Sequence, residues 1–116
     1  MSEINPASVP AALLVITTIE TAEAAQQLAE QLVERELAAC VQIVSPLTSV
    51  YRWQGNVETA AEVLVLIKTT VAAYAALEVA IKQLHSYQIP EVIAVPITAG
   101  SAEYLTWLQN GVKSEA

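Results

Sequence analysis

At 116 residues the chain is the size of one domain, and it is 54% hydrophobic but only 15% charged, against roughly 25% charged in an average soluble chain. A net charge of -7 with five Lys and Arg in total argues against nucleic acid, whose phosphates need clustered cations. No apolar run approaches the ~20 residues of a membrane span, and no Lys or Arg precedes Leu13-Leu14-Val15-Ile16 as a signal peptide requires. Cys40 is the only cysteine, which rules out an intrachain disulfide and points to a reducing cytoplasm.

Residues 1–10, with Asn5-Pro6 and Val9-Pro10, read as a loose tail ahead of a single domain over residues 11–113. From Ala11 to Thr17 the apolar residues run without alternation, the pattern of a strand covered on both faces. Thr21 is placed to cap a helix whose apolar stripe is Ala25, Leu28, Ala29, Leu32 and Val33, and this helix is expected to stop near Leu37. An extended stretch from Cys40 to Val44 resumes at Thr48 and runs to Trp53. Pro46 between them marks a bulge or an edge position. Gln54-Gly55-Asn56 reads as a tight reversal into a strand over Val57 to Thr70, so the two strands form a long hairpin.

Helical spacing returns at Tyr74, Leu77, Ile81 and Leu84, with Glu78 and Lys82 set for an ion pair. His85, the only histidine, falls at the end of this helix. Pro90 forces the chain out of helical geometry, so a strand begins near Glu91 and covers Val92 to Thr98. A short helix follows Gly100-Ser101 and ends at Asn110-Gly111.

The order strand, helix, strand, strand, helix, strand defines a ferredoxin-like βαββαβ α/β sandwich with an extra C-terminal helix. Two helices cover one face of such a sheet, yet its central strands are apolar on both. Each Val, Leu or Ile left wet forgoes roughly 1.5–3 kcal/mol. The sequence therefore predicts that the second face is buried in a homo-oligomer.

Candidate chemistry gathers at the junction from His85 to Glu91. His85 and Glu91 are the candidate metal ligands, and the alternative for His85 is a hydrogen bond that caps its helix. Tyr51, Trp53, Lys68 and Tyr87, with Glu91, are candidates to line a ligand cleft between subunits. They read equally as interface packing and a Lys68–Glu91 ion pair. Cys40 reads as a buried, inert thiol. Glu58, Glu62 and Glu103 read as solvated charges. No phosphate loop is present, and without aspartate there is no Ser-His-Asp set. An enzyme using Lys68, Tyr87 and Glu91 ranks last, since no nucleophile or cofactor is named.

Read in order, the motifs Ala38-Ala39-Cys40-Val41, Tyr51-Arg52-Trp53-Gln54-Gly55, Glu62, Ile67-Lys68-Thr69-Thr70, His85-Ser86-Tyr87-Gln88-Ile89-Pro90-Glu91, Pro96-Ile97, Gly100 and Tyr104-Leu105-Thr106-Trp107-Leu108 resemble the CutA family of divalent-cation tolerance proteins. The resemblance covers nearly all of the chain after the tail. It implies a non-enzymatic homotrimer with PII-like architecture, associated with copper(II) or another divalent metal. The rival implication is a PII-like sensor that holds a small molecule between subunits. Some members carry a cysteine near the end of the first strand and a His-His pair after the second helix, both proposed as copper ligands. Those positions here are Thr17, and Leu84 followed by His85.

Overall fold

The computed structural model describes residues 12–113. The expected tail and the start of the first strand at Ala11 lie outside them. Four strands and three helices follow one another as β1 (Ala12–Ile19), α1 (Ala22–Glu34), β2 (Cys40–Trp53), β3 (Asn56–Thr70), α2 (Val71–Leu84), β4 (Ile93–Pro96) and α3 (Ala102–Asn110). The strands make one antiparallel sheet in the order β2-β3-β1-β4. Each of its two βαβ halves closes across the central pair, as the ferredoxin-like pattern requires.

Strand alternation sorts the sheet into two faces. Val15, Ile19, Val63, Val65 and Ile67 point one way and are buried beneath Ala25, Leu28 and Leu32 of α1 and Leu77, Ala80 and Ile81 of α2. This is the core. Leu14, Ile16, Leu64 and Leu66 point the other way and are only half-buried. Beside them Val44, Ile93 and Val95 are 49%, 51% and 44% exposed. Part of this second face is covered by α3, which packs on β1 and β3. The remainder is open in the single chain.

Thr21 and Thr70 cap α1 and α2 by accepting the N–H of Ala24 and Ala73, each satisfying one of the donors a helix start leaves free. α1 ends three residues before the expected Leu37. Glu36 adopts a left-handed φ of 59°, and the Leu37 N–H turns back to the Leu32 carbonyl, closing the helix early. Ser101 caps α3 through the Tyr104 N–H.

Pro46 lies where β2 slips register between Val44 and Leu47, on the edge strand, so both readings of that proline hold. β2 continues through it as one strand. At the far end Trp53 pairs with Asn56, and Gln54 and Gly55 take positive φ of 49° and 84°, the geometry of a two-residue primed turn. β4 has four residues where seven were expected, and its ladder to β1 runs only from Ile93 to Pro96. Leu84 is 36% exposed and ends the apolar stripe of α2 a turn early. The Glu78–Lys82 pair forms at 2.8 Å. Among the described residues no helix is long and apolar enough to cross a membrane.

Candidate functional site: the cleft beside the 85–91 segment

Helix α2 stops at His85, whose backbone N–H still bonds the Ile81 carbonyl while its ψ of 143° turns the chain extended. Its imidazole is buried. Nε2 donates to the Thr18 carbonyl at 2.7 Å, and Nδ1 accepts the Tyr87 N–H at 3.1 Å. An accepting Nδ1 places the proton on Nε2. The ring thereby fastens the end of α2 to the end of β1 and fixes the turn beyond it.

Two further bonds hold this turn. Ser86 donates its hydroxyl to the Glu20 carboxylate. Tyr87 donates its hydroxyl to Glu62 Oε2 at 2.6 Å, and its ring sits 4.6 Å from that of His85 at 55°. Glu62 lies one residue beyond the last β1–β3 pair, Ile19–Val63, so no backbone of β1 stands between it and the turn.

Glu62 is only 7% exposed. Burial pushes its pKa up, but the Ser49, Tyr87 and Thr18 hydroxyls more than offset this, and the carboxyl is held below its ordinary value. It is an anion at neutral pH. For Tyr87, burial, the bond to Glu62 and the charges of Glu62 and Glu20 all push the phenol well above its usual value. It stays protonated and acts as the donor.

Beside this pair opens a cleft of about 560 Å³, walled by Tyr51 and Trp53 of β2 on one side and by Tyr87, Ile89 and Glu91 on the other, with Glu62 and Thr18 in its lining. The structure thus brings together Tyr51, Trp53, Tyr87 and Glu91 from the sequence candidates. Lys68 is not among them. It lies six residues along β3 from Glu62, roughly 20 Å at the rise of a strand, opposite Cys40 and Leu14. There its Nζ donates to the Tyr104 hydroxyl at 3.0 Å and lies 5.1 Å from the centre of that ring. The expected Lys68–Glu91 pair is excluded by that separation.

Glu62 is the residue that the sequence reading missed. Strand phase carried no signal, since Glu58 and Glu62 alternate onto the same face of β3; Glu62 differs in lying next to the end of β1 and under the 85–91 turn, while Glu58 lies farther out on the hairpin. Cys40 is half-buried and unpaired.

The donors near His85 do not fit a copper chelate. Both ring nitrogens are engaged with backbone groups, Thr17 is fully buried, and Leu84 offers no donor atom. Cys40 stands opposite Lys68, at the other end of the sheet. Among the described residues no three His, Cys, Asp or Glu side chains are grouped to hold a metal.

An antiparallel α/β sandwich with a pinned turn and an aromatic cleft defines a class of small ferredoxin-like proteins, and comparison with known proteins narrows it. Residues 13–111 match the family described as CutA1 divalent ion tolerance protein. The divalent-cation tolerance protein CutA of Thermus thermophilus is 49% identical over 97 residues, covering 84% of this chain and 94% of that protein. The chloroplastic CutA protein of Arabidopsis thaliana is 42% identical over 88% of this chain, which spans only 56% of that longer protein. The crystal structure of CutA1 from Oryza sativa superposes with a TM-score of 0.88 at 43% identity, covering 92% of this chain and 97% of that one. The chain belongs to the CutA1 family of divalent ion tolerance proteins.

Proposed function

We propose that the protein acts in divalent-cation tolerance as a non-enzymatic, cytoplasmic homotrimer that meets copper(II) or another divalent ion in exchange rather than as a resident cofactor. The observation that carries the role is the family match over residues 13–111. The engaged nitrogens of His85 support exchange over a built chelate, because a ligating imidazole must give up one of its two bonds. The same bonds leave His85 no free nitrogen for acid–base work. Assembly is supported by the open second face of the sheet; the number three rests on the motif resemblance.

Titration of copper(II), with zinc(II) as comparison, into the protein and a His85→Ala variant tests the metal part. The expected result is weak binding that is the same in both. Submicromolar binding that disappears in the variant would overturn it.

One observation favours a second reading, a PII-like sensor. The cleft between Trp53 and Tyr87 has the size and the mixed aromatic and polar lining of a small-ligand site.

A further inference from the structure

The cleft is one-sided in charge. Its lining carries two carboxylates, Glu62 and Glu91, while the five Lys and Arg of the chain are Arg35, Arg52, Lys68, Lys82 and Lys113, none of which lines it. Glu62 is the deeper of the two anions, covered from water and fixed in place by the Tyr87 hydroxyl. The hydroxyls that hold Glu62 as an anion do not neutralise it, so its negative charge remains beside the cleft. A divalent ion would need several further donors to replace its water shell, and no third acidic, thiol or imidazole donor is grouped there among the described residues. A singly charged ammonium needs only one carboxylate, together with surfaces that favour cations.

Tyr51 and Trp53 supply such surfaces. They alternate onto the Glu62 face of β2, at 44% and 38% exposure, and aromatic faces attract ammonium groups. Ile89, 71% exposed on the opposite rim, offers an apolar contact for the body of the ligand. We infer that the cleft between Tyr51, Trp53, Tyr87 and Glu62 binds a small organic cation, with its ammonium group on Glu62 and its apolar portion against the aromatic walls. This rests on the second reading above, that the cleft takes an organic ligand, and it names the chemical class of that ligand.

The test uses phenethylammonium, neutral 2-phenylethanol and anionic phenylacetate as matched probes, titrated calorimetrically at fixed ionic strength into the full chain and into Glu62→Gln and Trp53→Ala variants. Trp53 lies on the hairpin outside the buried core, so it gives a second variant should Glu62→Gln disturb the fold, with the mass in solution checked for both. The expected result is measurable binding of the ammonium probe alone, weakened on the order of tenfold by Glu62→Gln and several-fold by Trp53→Ala. Binding of the alcohol or acid at least as tightly, weakened by Trp53→Ala, would overturn the cation assignment and leave an organic-ligand cleft standing. Ammonium binding unchanged in both variants would place it elsewhere and overturn the inference. No binding by any probe would overturn the cation assignment and count against the ligand reading as well.

Discussion

His85 is a structural staple with two backbone partners, the Thr18 carbonyl and the Tyr87 N–H. Its replacement by Ala strands a buried carbonyl and frees the turn, at a cost of about 1–3 kcal/mol, readable from denaturant unfolding at fixed protein concentration. A cost below about 0.5 kcal/mol would contradict the staple. Glu62 gives a pH signature. Its folded pKa is depressed from a reference of 4.5, so the stability it contributes is present above that reference and is lost as pH falls through the lower folded value. Glu62→Gln is expected to flatten the unfolding curve of stability against pH in that acid window, and an unchanged curve would contradict it. The sequence presented His85 as conspicuous because it is unique, while Glu62 was one carboxylate among several. Glu58 and Glu62 alternate onto the same face of β3, and what separated Glu62 from Glu58 was its place just past the end of β1, which is set by a pairing far away in sequence.

At the scale of elements, the helices and strands were legible because their apolar periods are distinct: helical spacing across Ala25, Leu28 and Leu32, and continuous apolar runs at Leu13–Ile16 and Val63–Ile67. Endings were less legible. α1 closes on the left-handed Glu36, and β4 pairs with only the Leu13–Ile16 part of β1, which continues to Ile19; neither ending depends on local composition alone. The hairpin turn was read correctly as tight, and Gly55 explains why. Its φ of 84° disfavours any side chain, although a Cβ there would meet nothing within 4 Å. Gly55→Ala is therefore expected to cost about 1 kcal/mol through backbone strain alone, measured as a shift in unfolding midpoint. No shift would mean that the turn relaxes. Placement along a strand was the harder matter. Lys68 and Glu62 belong to the same strand, but only its Glu62 end meets the 85–91 turn; its Lys68 end meets α3.

For the whole molecule, the two-sided apolar pattern of the central strands was the most telling feature of the sequence, since helices alone cover one side. The structure leaves Ile16, Leu64 and Leu66 half-covered, with Ile93, Val95 and Val44 beside them exposed. The hairpin extends the chain to 47 × 30 × 22 Å, and Val50 and Val57 on that arm are 67% and 66% exposed. Val50 and Val57 lie on the other face of the arm from Leu64 and Leu66, so apolar surface is left open on both sides of the sheet, and exposed apolar patches of this kind mark interaction sites. A second copy of the chain is the partner we propose for this surface, since closed assemblies of like copies are the common solution. The most direct measurement is the mass in solution by light scattering at micromolar concentration, for the protein and for an Ile93→Glu variant that sets a charge on the open face. The account predicts three times 12.4 kDa, about 37 kDa, for the protein and a smaller mass for the variant; a sharp 12.4 kDa monomer for the unaltered chain would contradict it.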